Sequence, residues 1–290
     1  MSSKPFVITP ASSASDKQLV KNMTYNIDNI PKWFERCKKT NDHALIVSAG
    51  PSTRLFLRDH KKLIDKFNPI FCIKHAIPLL MDAGVEPDFC VVLDPRPIDA
   101  VSTLGHKRSE LYDRAPKKTT FFVASMTHIS VTKHLMEKGY NIVGWHALTP
   151  EMQSLPNEYK KHIMGGKHGI PITGGTSSGT RTIELSFFMG IPTVTCVGFD
   201  SSFDAPKPTN IKCRKGKQRY LKIDVKDKPF WTTGELIAQA QDFERLISNN
   251  KNSSDIRIFD TGLETSLVNE LVKQKGNHNW PEKQWKEFHV

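Results

Sequence analysis

Apolar residues along this chain gather in short unbroken runs, and between the runs they recur every three or four positions. The runs at 44–48, 70–73, 89–93, 120–124, 141–146, 193–197 and 256–259 predict strands. A strand that is apolar on both faces belongs in a parallel sheet covered on both sides. The periodic stretches predict helices over 53–67, 77–83, 130–138, 181–189, 235–248 and 266–273. Strand and helix alternate through most of the chain, the pattern of βαβ units rather than of a sandwich or a bundle. The predicted fold class is α/β: a Rossmann-like, open, mostly parallel sheet with helices on both faces, a basic hairpin insertion and a helical C-terminus.

The pattern weakens in four places. Residues 1–24 are polar, with Ser12, Ser13 and Ser15, and read as a flexible or partner-dependent arm, followed by a short helix over 29–39 that packs through Trp33 and Phe34. The stretch 150–168 is poorly periodic, carries Gly165-Gly166, and reads as an excursion over the sheet edge. Between 207 and 228 nine basic residues crowd together while Leu221, Ile223 and Val225 alternate with polar positions, as in a hairpin. Residues 266–290 form a last helix and tail. The expected organisation is an arm and short helix over 1–41, one Rossmann-like domain over 42–265, and the C-terminal segment.

In an open α/β sheet, ligands bind beyond the carboxyl ends of the strands. The first strand runs into Gly50-Pro51-Ser52, which is either a tight turn with a capping serine or a cradle of amides and a hydroxyl for phosphate. Lys74 and His75 follow the second strand, and Asp94-Pro95-Arg96 follows the third. Asp94 suits a ribose hydroxyl, a divalent metal or a turn cap. Gly174-Gly175-Thr176-Ser177-Ser178-Gly179 precedes a helix, and the strand after that helix ends at Asp200. Paired glycines let amides approach a ligand, and hydroxyls at a helix start add donors beside its positive pole. The same residues also make an ordinary helix cap. The placement of Ser52, Lys74, Asp94 and Asp200 on one sheet edge favours an anion. For a general base the chain offers His146 and His168.

Charge adds a preference for anionic partners. The net charge is +11 and the isoelectric point is about 9.4, but the lysines are spread along the chain, so solubility accounts for much of it. The 207–228 segment suits an anionic acceptor or a nucleic acid, or is a solvated arm. The five cysteines include no CxxC pair and no ligand spacing with histidine, which predicts reduced, buried thiols and no structural metal. No apolar segment is long enough to cross a bilayer and none resembles a leader, so a cytoplasmic protein is expected. Homo-oligomerisation is left open.

With Ser48-Ala49-Gly50-Pro51-Ser52, Gly84-Val85-Glu86-Pro87-Asp88, and Thr173-Gly174-Gly175 through Gly198-Phe199-Asp200-Ser201-Ser202-Phe203 in view, the chain resembles the MptE-like Rossmann family. That family includes archaeal 6-hydroxymethylpterin pyrophosphokinases and the Maf proteins of flagellin glycosylation. More distantly the chain is similar to bacterial sialyltransferases of the Campylobacter type. The resemblance spans roughly residues 42–204 and rests on the order and spacing of several short motifs. It implies that Gly50, Pro51 and Ser52 lie against a nucleotide's phosphate or ribose, that Ser177, Ser178 and Gly179 receive an anionic group of the donor, and that Asp94 and Asp200 line the same crevice. Two positions depart from the sialyltransferase pattern: Ser48 stands where its first glycine would be, and no histidine occurs between Asp200 and His278.

The leading expectation is a nucleotide-dependent transferase of the sialyltransferase-like glycosyltransferase type, using a nucleotide sugar with a cytidine nucleotide favoured. The alternatives are an MptE-like pyrophosphokinase that passes diphosphate from ATP to a hydroxymethyl substrate, with magnesium on Asp94 or Asp200, and a non-catalytic nucleotide or nucleic-acid binding module.

Overall fold

The structure, a computed structural model, describes residues 14–101, 105–164, 171–206, 212–213, 218–225, 227–250, 254–274 and 279–280. In chain order its regular elements begin with α1 (Asp16–Asn29), β1 (His43–Val47), α2 (Pro51–Asp59), β2 (Ile70–Ile73), α3 (Ile77–Asp82), β3 (Phe89–Val92), α4 (Arg108–Tyr112) and β4 (Thr120–Ala124). Next come α5 (Ile129–Glu137), β5 (Asn141–Ala147), α6 (Asn157–Met164), β6 (Pro171–Ile172), α7 (Ser178–Phe188) and β7 (Thr193–Val197). The rest are β8 (Lys212–Cys213), β9 (Gln218–Arg219), β10 (Leu221–Val225), β11 (Lys228–Thr232), α8 (Gly234–Asn250), β12 (Asp255–Phe259), α9 (Leu267–Gln274) and β13 (Asn279–Trp280).

Nine strands make one sheet in the order β13-β12-β7-β1-β2-β3-β4-β5-β6, and every neighbouring pair is parallel. The unbroken apolar runs are explained by two cores. Along β1, Leu45 and Val47 point to one core with Leu19 and Met23 of α1, Phe56 of α2 and Leu135 of α5. Ala44 and Ile46 point to the other, with Ile183 of α7, Phe243 of α8 and Val268 of α9. Alternate side chains of a strand leave opposite faces, so both faces must be apolar. From β1 the chain builds outward through β2 to β6, then returns to place β7 on the other side of β1. This reversal is the topological switch point, and the crevice beside it opens at the carboxyl ends of β1 and β7.

Three expectations need correction. Within the arm read over 1–24, residues 1–13 lie outside the described residues, and the rest enters a helix at 16–29, upstream of 29–39. The pattern concealed it because its inner face includes Asn22 and Asn26, both fully buried. Asn26 Nδ2 donates to the Ser125 and Thr127 carbonyls at 2.8 and 2.7 Å, and Asn22 Nδ2 donates to the Met126 carbonyl at 3.1 Å. Residues after Ile30 run extended instead: the Phe34 amide donates to the Gly144 carbonyl, and the Gly144 amide to the Lys32 carbonyl, both at 2.7 Å. Trp33 and Phe34 are buried, as their apolar character required.

The excursion after β5 contains the helix α6. The basic stretch forms antiparallel pairs as expected: β8 with β9, and β10 with β11, whose Phe230 is buried in the second core. Leu221, Ile223 and Val225 keep the expected alternation. Most of the basic residues at 207–217 lie outside the described residues. Among the cysteines, Cys72, Cys90 and Cys196 are buried free thiols, whereas Cys37 is exposed because it sits on the extended segment rather than in a strand.

Among the described residues, no helix is long and apolar enough to cross a membrane. If Asn26 ties α1 to the loop after β4, Asn26→Leu keeps the volume but leaves two carbonyls without their donor. We expect a loss of roughly 1–3 kcal/mol in urea unfolding, with little change in the slope of the transition.

Candidate functional site

The loops after β1 and β7 meet across the switch point. The Ser52 amide and hydroxyl both donate to Asp200 Oδ2 at 2.8 Å, and Ser52 Oγ accepts from the Gly198 amide at 3.1 Å. Gly50 caps α2 and Pro51 occupies its first turn. A Cβ on Gly50 would lie 2.3 Å from Asp200 Oδ2, so only glycine fits. The cap is therefore Gly50 and not Ser52, and the serine hydroxyl is engaged by a carboxylate within the protein. Burial pushes the Asp200 carboxyl above its ordinary range, and the two Ser52 donors pull it part of the way back.

The loop before α7 is built in a similar way. Gly174 and Gly175 have φ of 105° and 89°, values that suit glycine. The Thr176 amide and hydroxyl both donate to Asp242 Oδ2 of α8 at 2.8 Å, and Asp242 also pairs with Arg245. Ser177 caps α7 by accepting from the Thr180 amide, Ser178 opens the helix, and Gly179 lies against the Phe199 ring. From below, Arg181 donates to the Gly175, Ile172 and Leu148 carbonyls at 2.7, 2.5 and 3.2 Å. Burial pulls its guanidinium down to about 10, still charged at neutral pH. The loop ahead of the helix thus holds a carboxylate of the protein itself through Thr176.

The excess positive charge lies one strand along, at the ends of β2 and β3. Asp94, 5% exposed, is held by three cations. Lys74 Nζ pairs with its Oδ2. Arg108 Nε reaches the same oxygen at 2.7 Å, and Arg96 Nε reaches Oδ1 at 2.8 Å. The Arg96 amide adds a bond to Oδ1 at 3.1 Å. Burial alone would raise the Asp94 carboxyl, but Lys74, Arg96 and Arg108 reverse that and hold it well below the usual carboxylate range. Burial pulls the Lys74 ammonium down to about 8 against the attraction of Asp94.

Three cations converge on the Asp94 carboxylate, and Glu235 also attracts Arg96, so the cluster keeps an excess of positive charge. Two polar atoms beside it have no hydrogen-bond partner: His75 Nδ1 and the buried Tyr112 hydroxyl. Buried polar atoms are normally satisfied, so these two fit a place that a ligand or water completes.

The structure brings Gly50, Pro51, Ser52 and Asp200 together at one switch-point wall, and Lys74 and Asp94 together in the cationic cluster. It does not bring His146 to the crevice. That imidazole is fully buried at the end of β5 and stacks on Trp33 with ring centres 4.3 Å apart. His168 lies outside the described residues. Asp94 and Asp200 do not fit a magnesium site, since the first is neutralised by three cations and the second is enclosed with Ser52. Among the described residues, no group of three or more His, Cys, Asp or Glu could hold a metal ion. Arg108, Arg181, Asp242 and Tyr112 were not legible as site residues. Their only signal was a charged or polar residue inside a segment that must be buried.

Asp94→Asn strips the negative charge from three converging cations. We expect a cost of about 3–5 kcal/mol in denaturant unfolding. Because the folded pKa of Asp94 is depressed, its stabilising contribution is complete above the unfolded value of about 3.9 and is lost as pH falls below it. The wild type should therefore lose stability steeply below that pH, and the variant less steeply.

A family model described as "6-hydroxymethylpterin diphosphokinase MptE-like" matches residues 17–205, a span that begins in α1 and ends past Asp200. No curated protein matches the chain. Among solved structures, that of the MAf glycosyltransferase from Magnetospirillum magneticum AMB-1 is similar with a TM-score of 0.57 and 11% identity. The alignment covers 90% of this chain and 41% of that one, and at this identity the likeness is one of fold. The family match extends over well over half of the residues, and the chain belongs to the MptE-like family.

Proposed function

We propose that this chain is a nucleotide-dependent transferase, of the glycosyltransferase or diphosphokinase type, whose donor phosphate sits on the Lys74–Arg96–Arg108 cluster. The observation that carries this is the excess of positive charge around Asp94 at the strand ends of an MptE-like fold. Such a surplus favours a group that gains negative charge as it leaves.

Within that class, glycosyl transfer from a nucleotide sugar is the reading that the charge supports best. A sugar joined to a nucleoside monophosphate carries one negative charge on its phosphate, and the departing monophosphate carries two. An excess of positive charge complements the second state better than the first. The MAf glycosyltransferase has a related fold, and the cytidine class is the first to test.

Transfer of diphosphate from ATP to a hydroxymethyl substrate is the second reading, favoured by the family description. Magnesium-dependent release of AMP would mark it.

Melting-temperature shifts with CMP, UDP and GDP sugars test the first reading, and a cytidine nucleotide should give the largest shift with or without a chelator. Arg96, 41% exposed along its side chain, can be removed with little risk to folding. Arg96→Ala should weaken nucleotide binding roughly 10- to 100-fold, as for loss of one charge-assisted hydrogen bond. Absence of any shift with all three classes would overturn the glycosyl-transfer reading.

A further inference from the structure

Two hydrogen bonds sew the turn after β4 to the loop that carries Asp94 and Arg96. The His128 amide donates to the Asp94 carbonyl at 3.0 Å, and the Ile98 amide donates to Ser130 Oγ at 2.9 Å. Arg96 lies between these two ties in sequence. The His128 ring is turned toward the second tie. Its Nδ1 accepts from the Ser130 amide at 3.1 Å, which caps α5, and lies 2.8 Å from Ser130 Oγ.

These contacts fix which nitrogen carries the hydrogen. A backbone amide can only donate, so Nδ1 must present its lone pair to Ser130. Ser130 Oγ accepts from the Ile98 amide and has its own proton left for the same nitrogen. The neutral ring therefore carries its hydrogen on Nε2. Protonating Nδ1 would break the cap and put a cation at the positive pole of α5. Burial of the ring lowers its pKa further, with Asp99 and Asp94 opposing and Lys21 of α1 assisting. Nε2 has no partner among the described residues and, unlike His75 Nδ1, is not enclosed. His128 is thus a poor base and a standing N–H donor, tied to the same loop as Asp94 and Arg96.

We propose that the Nε2–H of His128 is a binding donor of this crevice, and that it hydrogen-bonds an oxygen of the phosphate held on Lys74, Arg96 and Arg108. This rests on the donor-phosphate reading given above. A neutral donor adds a bond to a phosphate without adding a further charge to cations that already repel one another. Its hydrogen is on the correct nitrogen before a ligand arrives, so binding requires no change of tautomer.

Two substitutions separate the cap from the donor. In His128→Asn the carboxamide oxygen takes over from Nδ1 as the cap, a place asparagine suits well, and the Nε2 donor is lost. In His128→Gln the carboxamide nitrogen takes the place of Nε2, and the cap is lost. We expect His128→Asn to melt close to the wild type and to bind CMP roughly 10- to 100-fold more weakly in calorimetry, as for one hydrogen bond to a charged group. Cytidine, which lacks the phosphate, should bind both proteins alike. His128→Gln should melt lower and retain more of the affinity for CMP than His128→Asn. Long-range 1H–15N correlation spectra of the full chain at neutral pH should show the His128 hydrogen on Nε2, with and without CMP. If CMP binds the wild type and His128→Asn equally, His128 does not touch the phosphate, although the donor reading stands. An equal loss for CMP and cytidine would mark a purely structural role and overturn the proposal, as would spectra that place the hydrogen on Nδ1 or on both nitrogens. If CMP does not bind the wild type at all, the cytidine-donor reading falls and this proposal falls with it.

Discussion

The buried carboxylate of Asp200 is the constraint on which the geometry of this fold depends. It accepts two hydrogen bonds from Ser52 across the switch point, 148 residues away in sequence. The contact is so close that Gly50 has no room for a side chain. A charge removed from water is tolerated only when donors converge on it, so the turn after β1 and the turn after β7 cannot separate without exposing an unpaired acid. This fixes where α2 begins and closes one wall of the crevice. The other wall, at β2 and β3, is where charge is left over.

That second wall is supported from a distance. Asp94 receives a backbone bond through its carbonyl from the His128 amide at 3.0 Å. The loop that carries His128 is in turn held by Asn22 and Asn26 of α1. The N-terminal helix therefore positions the cationic cluster without touching it. A cluster of like charges would spread apart unless both its central carboxylate and the backbone beneath were anchored, and here α1 supplies the second anchor.

The two glycine-rich loops share one chemical solution. Each presents an amide and a hydroxyl that would suit a phosphate, and each gives them to an internal carboxylate, Asp200 in one case and Asp242 in the other. Such loops wall the strand ends, and the excess of positive charge lies on side chains at the neighbouring strand ends. Helix-start chemistry thus identifies a place where an anion is held, and the identity of that anion depends on what the rest of the chain delivers to it.

Local pattern determined most of the fold. Continuous apolar runs could only be strands covered on both faces, as the split of Ala44 and Ile46 from Leu45 and Val47 between two cores demonstrates. Strand-end position alone put Ser52, Lys74, Asp94 and Asp200 on one edge. Hydropathy failed for α1, because Asn22 and Asn26 count as polar although their amides are satisfied by buried carbonyls. Partnership was the other thing beyond its reach. Ser52 with Asp200, Thr176 with Asp242, and Asp94 with Arg108 are pairs whose members lie 148, 66 and 14 residues apart. Whether a carboxylate binds a ligand, caps a turn or anchors cations depends on which charges stand within a few ångströms, and only the folded chain sets that distance.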